Sequence, residues 1–263
     1  MLKDINKSIQ KKGLIKKLLP IKESFYMRKG MMKFFDLHEY EGKVLFKKNG
    51  VRVENCALAK TTNEAIEIAK KYNGKVYIKC QVHAGGRGKG HLTSGLKGGV
   101  HLCNNVKEVE LYSKQMLGHN LITIQTPKEG LLVKSLLVSE VIDVKKQLYL
   151  AFLLDRKYGG PVIIASNEGG MDIEDVAKRN PKAIIIQPVD VKIGLTEENI
   201  QYVVSKLDLD KNQKIQAAEQ LKKVYEMFIK YDATQIEINP WAVDSTGKVF
   251  LFIIIYFNTN YLI

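Results

Sequence analysis

Long apolar runs are missing from this sequence of 263 residues. The longest, Val249 to Phe257, has nine residues, well short of the roughly 18 to 20 that a membrane-spanning helix needs, so no membrane partner is expected. Cysteine is scarce. Cys56, Cys80 and Cys103 are odd in number and lack Cys-x-x-Cys spacing, which argues against a disulfide framework and a zinc site and suits a reducing interior. The histidines, His38, His83, His91, His101 and His119, lack the His-x-x-x-His spacing of a metal pair, and surface or loop positions are expected for each. Acidic residues are outnumbered, 28 against 41 Lys and Arg, for a net charge of +13.

That excess is local. The first 33 residues hold nine lysines and one arginine against one aspartate and one glutamate, a net +8. A basic face on the folded body is therefore not expected, and nucleic acid is not an expected partner. In residues 1–33 the cations are spaced among Leu and Ile with few acids, the composition of an organelle targeting peptide. A basic tail, or upstream sequence preceding Met27, Met31 or Met32, would have the same composition. What is present is 45% hydrophobic and 26% charged residues, which allows one large domain or two smaller ones.

From Leu37 the pattern is helical, with Leu37, Tyr40 and Val44 on one face and Gly50 as the stop. A strand is predicted around Val51 to Leu58. "TTNEAIEIAKKYNG" opens with Thr61 and Glu64 as a capping box and sets Ala65, Ile68, Ala69 and Tyr72 on one face. "KVYIKCQV" reads as a strand, Val106 to Leu117 as a helix, and Leu121–Gln125, Leu131–Val141, Leu148–Leu154 and Pro161–Ser166 as strands. A short helix follows "EGGMD", and "NQKIQAAEQLKKVYEMFIK" is a longer one burying Leu221, Val224, Tyr225 and Phe228. Interleaved helices with several consecutive strands favour an α+β arrangement.

Two stretches carry chemistry. "HAGGRGKG", His83 to Gly90, follows the strand that bears Lys79. Glycine lets backbone N–H groups approach an anion closely, and Arg87 and Lys89 add charge. The loop is not a P-loop, because Gly88-Lys89 is followed by Gly90 and the required first glycine is His83; nor does Gly86-x-Gly88-x-Gly90 meet the Gly-x-Gly-x-x-Gly dinucleotide pattern. A mobile lid over polyphosphate and a flexible surface hairpin both remain open. In "ATQIEINPWAVDSTGK" strand alternation sets Thr234, Ile236 and Ile238 on one side and Gln235, Glu237 and Asn239 on the other. Carboxylate and amide oxygens suit Mg²⁺ beside phosphate, although an ordinary half-exposed strand has the same pattern. "DSTG" is a hairpin turn that returns Val249 to Ile255, with Ile253 opposite Ile238 or Asn239.

Taken in order, "LHEYEGKVLFKKNGVRV", "KCQVHAGGRGKG", "SGLKGGVHL", "TPKEG", "GGMDIEDVA" and "YDATQIEINP" closely resemble the nucleotide-binding β subunit of succinyl-CoA synthetase (succinate–CoA ligase), from about Phe35 to Phe250. The resemblance implies an ATP-grasp fold of two α+β subdomains over residues 34–250, preceded by the basic extension 1–33 and followed by a non-family apolar tail, 251–263. The family's flavodoxin-like CoA-ligase domain is expected to be absent. It implies that Lys79 contacts phosphates, that Gly86, Arg87 and Gly88 form the phosphate loop, that Glu140 lies at the hinge near the nucleoside, and that Asn239 binds Mg²⁺. Glu237 would be the catalytic side chain beside the partner's phosphohistidine.

The implied reaction joins succinate to CoA through succinyl phosphate, with ATP or GTP made or consumed and an α subunit supplying the histidine. The setting would be the tricarboxylic acid cycle in a mitochondrial matrix or related organelle. Two positions depart from the pattern: the family's second metal-binding Asp falls at Ile253, and an acidic residue falls at Gln147. A related ligase using malate, or a non-catalytic chain that binds nucleotide or the α subunit only, are the alternatives.

Overall fold

The structure, a computed structural model, describes residues 35–170, 173–252 and 254–259. The basic stretch 1–33 and the Ile253 position lie outside the described residues. The chain forms two compact units, one of Asp36–Val144 and one of Lys145–Ile263 with Phe35 from strand β1 (Phe35–Asp36).

The first unit begins with helix α1 (Glu39–Lys48), which ends on Asn49 with Gly50 at φ +73. Its buried side is not the expected Leu37, Tyr40, Val44 face. Val44 is 48% exposed, whereas Glu39, Lys43, Leu45 and Phe46 are buried. Apolar periodicity misleads here because the helix turns an i, i+4 ion pair inward.

The chain from Val51 then makes a lone bridge at Val53 and enters a strand at β2 (Cys56–Ala59), so the strand predicted from Val51 starts late. Within that gap Glu54 is buried beside Lys43. In α2 (Thr62–Lys70) the Thr61 hydroxyl accepts from Glu64 N–H at 3.2 Å. The Glu64 carboxylate, however, accepts from Lys60 rather than Thr61, so the capping box is half formed.

Strands β3 (Val76–Cys80), β4 (His91–Leu92) and β5 (Val100–Cys103), helix α3 (Val106–Met116), and strands β6 (Asn120–Ile122), β7 (Leu131–Leu132) and β8 (Leu136–Glu140) complete the unit. One antiparallel sheet runs β2-β8-β3-β5 and a smaller one β4-β6-β7. Leu131–Val141, read as one strand, is split between the two sheets. Ala65 and Ala69 of α2, Ile78, Val109, Met116, Leu121 and Val138 close the core, each large apolar side chain contributing about 1.5–3 kcal/mol.

The second unit holds strands β9 (Val144–Asp155) and β10 (Gly160–Ser166), helix α4 (Ile173–Arg179), strand β11 (Ile184–Pro188), helices α5 (Glu197–Ser205) and α6 (Lys211–Lys230), and strands β12 (Ala233–Asp244), β13 (Val249–Leu251) and β14 (Ile254–Thr259). Its seven-stranded sheet runs β1-β14-β12-β9-β10-β11, with β13 also on β12. Alternation along β9 explains its burial on both faces. Tyr149 and Ala151 pack with Ile173 and Val176 of α4, while Phe152 lies 6.0 Å from the Phe228 ring of α6. Of the predicted α6 face, Leu221, Val224 and Phe228 are buried, while Tyr225 is half-buried.

Candidate functional site

Lys79 sits one residue before the end of β3, and the glycine loop begins three residues beyond it. The loop is held from below. Gly85 N–H donates to Gln125 Oε1 at 2.6 Å, Gly98 N–H to the Gly90 carbonyl at 2.8 Å, and Gly99 N–H to the Arg87 carbonyl at 2.8 Å. "SGLKGG" is thus the floor of the loop.

Arg87–Lys89 form a single 3₁₀ turn, with Gly86 left-handed at φ +69 before it. Gly90 is needed for a different reason: a Cβ there would come within 2.5 Å of the Ile122 carbonyl oxygen. Gly88 has neither reason, since a Cβ there would meet nothing within 4 Å. That face of the loop is open to a ligand.

The cations do not point at random. Arg87 donates through Nη1 to the Cys80 carbonyl at 2.8 Å and through Nη2 to Glu39 Oε2 at 2.6 Å. Lys79 Nζ reaches Glu39 Oε1 at 3.1 Å and lies 3.6 Å from Glu54 Oε1. Lys43 Nζ is 2.7 Å from Glu39 Oε1 and also pairs with Glu54. Two carboxylates therefore face three cations in the interior, leaving one positive charge in excess, and Arg87, with its side chain 12% exposed, is the most accessible member.

Burial pushes the Glu39 carboxyl up, but Lys43, Lys79 and Arg87 outweigh it and hold the group well below the usual carboxylate range. Burial pushes the Lys79 ammonium down; Glu39 and Glu54 oppose that, while Lys43 adds to it. Beside this network His38 and His83 meet through their Nε2 atoms at 2.8 Å. Burial, and then the neighbouring His83, lower the His38 pKa.

Of the residues picked from the sequence, Lys79, Gly86, Arg87 and Gly88 come together. Glu140 does not join them. It pairs with Val76 at the other end of β3, about 10 Å along the ladder from the Lys79–Leu137 pair, and its Oε1 accepts the Asn55 N–H at 2.7 Å. The thiols offer no nucleophile: burial raises Cys56 to about 11 and Cys80 and Cys103 to about 12.

In the second unit, β12 alternates as expected, with Ile236 and Ile238 buried and Glu237 and Asn239 half-buried on the other side. Asn239 is fixed by a glycine turn: Gly170 N–H donates to its Oδ1 at 2.6 Å. Gly169 allows this by packing onto the Leu148 backbone, where any Cβ would overlap it. Gln235 Nε2 donates to Glu237 Oε2 at 3.2 Å. The buried Tyr149 hydroxyl lies close enough to the Glu237 carboxylate for that charge, after burial, to push its ionisation well up, yet no hydrogen bond of normal geometry joins them.

No group of three or more His, Cys, Asp or Glu side chains forms a metal cage among the described residues. Mg²⁺ is commonly held by one or two protein oxygens with phosphate and water completing its shell, and Asn239 with Glu237 fits that smaller share. Sequence reasoning missed Glu39, Lys43 and Glu54. The first two have a signal, an i, i+4 pair, but that pair reads equally as a solvent-exposed one; Glu54 has none.

The ATP-grasp domain profile matches residues 36–243. The chain is 46% identical over 221 residues to the mitochondrial GDP-forming succinate–CoA ligase subunit β of Bos taurus, covering 84% of this chain and 51% of that protein. It is 42% identical over 246 residues to the mitochondrial ADP-forming subunit β of Dictyostelium discoideum, covering 93% and 55%.

The chain thus spans about half the length of these curated relatives. In fold it resembles the ATP citrate lyase of Methanothrix soehngenii, with a TM-score of 0.61 at 18% identity over 86% of this chain and 51% of that one. Ca. Korarchaeum cryptofilum ACD1 gives a TM-score of 0.61 at 16% identity, over 84% and 93%. With most of its length matched by the profile, the chain belongs to the ATP-grasp domain family.

Proposed function

We propose that this chain is the nucleotide-binding part of a succinate–CoA ligase β subunit, working with an α subunit in a mitochondrial matrix or related organelle. The observation that carries the reading is the convergence of Lys79 and Arg87 on one carboxylate beside the open face at Gly88. Such a site stabilises a transferring phosphoryl group by having its charges in place before reaction.

In this reading Lys79, Arg87 and the Gly86–Gly88 backbone hold the phosphates of ATP or GTP, and Glu140 lies toward the nucleoside. Asn239 contributes an oxygen to Mg²⁺, which when bound offsets phosphate charge, and Glu237 faces the α-subunit histidine. The γ-phosphoryl group passes to that histidine with release of the nucleoside diphosphate. Succinate then takes it as succinyl phosphate, and the CoA thiol displaces phosphate to give succinyl-CoA. The similarity to both GDP- and ADP-forming subunits supports the reaction and leaves ATP and GTP both as candidates.

The test is substitution at the open glycine. Gly88→Ala has no internal clash to resolve, so folding is expected to be retained while MgATP or MgGTP binding weakens about tenfold or more. Unchanged nucleotide affinity in a folded Gly88→Ala chain would remove the loop from the phosphate site.

A further inference from the structure

Five charged side chains are withdrawn from water in the first unit, and stability alone does not account for them. Taking charges out of water costs several kcal/mol per ion in general, and apolar residues of similar volume often serve a fold as well or better. This network has another property. Its central carboxylate, Glu39, divides its two oxygens between the strand and the loop, Oε1 toward Lys79 at 3.1 Å and Oε2 toward Arg87 at 2.6 Å.

Lys43 approaches the same Oε1 at 2.7 Å and is itself tied to Glu54, so the position of Glu39 is fixed from behind. Arg87 is held a second time by the Cys80 carbonyl, the last residue of β3. A lysine on a rigid strand and an arginine on a glycine loop are thereby set at one spacing before any ligand arrives.

We propose that Glu39 is a positioning residue for polyphosphate binding: its carboxylate locks Lys79 and Arg87 into a preformed pair. This rests on the nucleotide-site reading above. The groups facing Lys79 are Glu39 and Lys43 from α1, Glu54 before β2, Cys56 at the start of β2, and Arg87 across the shared carboxylate. Cys56 is a neutral thiol, so only Glu39 and Glu54 offset burial of the ammonium. Removing Glu39 lowers the pH at which Lys79 gives up its proton, and polyphosphate binding is lost as pH rises through that value.

The experiment measures binding of a nucleoside, its diphosphate and its triphosphate to the full chain from pH 7 to pH 10, for the unaltered protein and for Glu39→Gln and Glu39→Asp. The unaltered protein is expected to prefer the phosphorylated ligands. In Glu39→Gln that preference falls about tenfold or more, nucleoside affinity is unchanged, and the alkaline loss of binding moves to lower pH.

Glu39→Asp keeps the charge but draws it back by one methylene. Its pH profile stays in place, while about threefold of the preference is lost. A merely structural role would lower the thermal midpoint and leave ligand preference and pH profile alone, and that result overturns the proposal. If Glu39→Gln does not fold, a folded Glu39→Asp with undiminished preference overturns it equally. Failure of the unaltered protein to prefer phosphorylated ligands would instead overturn the nucleotide-site reading, and the role of Glu39 with it.

Discussion

At the scale of single residues, the glycines of one loop separate by what each backbone position demands. Gly90→Ala places a Cβ against the Ile122 carbonyl and is expected to cost about 1–3 kcal/mol, read as a lower midpoint in urea. Gly88→Ala is expected within about 0.5 kcal/mol of the parent in the same measurement. Lys79 and Arg87 are picked out in the sequence by the family resemblance of "KCQVHAGGRGKG", since a glycine loop beside cations reads equally as a surface hairpin. Glu39 is not, since nothing in "LHEYEGK" says which of its acids turns inward.

The charge of Glu39 also has a pH signature. Its folded pKa is depressed, so its stabilisation is complete above the unfolded carboxyl value of about 4.3 and is lost as pH falls through the lower folded value. Unfolding curves of the parent and of Glu39→Gln should therefore differ most above that pH and converge in stronger acid. A constant difference down to strong acid would contradict the assignment of its partners.

Among the elements, α1 is where pattern and structure part. An apolar stripe of Leu37, Tyr40 and Val44 predicts one face, while the interior receives Glu39, Lys43 and Phe46. Periodicity scores hydrophobicity, and a buried ion pair is invisible to it. The consequence is measurable: Val44→Glu should change stability by less than about 0.5 kcal/mol, whereas Lys43→Ala, which takes the nearest cation from Glu54 while Lys79 and Arg87 still hold Glu39, should cost about 1–3 kcal/mol. The reverse order would restore the apolar-stripe reading.

Other elements were hidden for different reasons. β7 and β8 fall within one apolar stretch, and only tertiary pairing sends them to different sheets. α5 begins with a capping box whose third position is Asn199 instead of the usual Glu or Gln, so its start carries no familiar signature. By contrast, α6 and the alternation of β12 were legible because each runs long enough for its period to be unambiguous.

For the whole molecule, each unit ties a side-chain amide to a glycine turn, Gln125 at Gly85 in the first and Asn239 at Gly170 in the second. The order of these motifs along the chain was readable from sequence; the ion network that fixes the first and the Gly170 hydrogen bond that fixes Asn239 were not, because both join residues distant in the chain. Thermal unfolding with and without MgATP or MgGTP tests most directly whether the chain binds a magnesium nucleotide. At a concentration about 100-fold above the dissociation constant, binding adds about 2.7 kcal/mol and should raise the midpoint by about 5 °C, with nucleoside alone giving a smaller rise. A midpoint unmoved by either nucleotide at millimolar concentration would contradict the account.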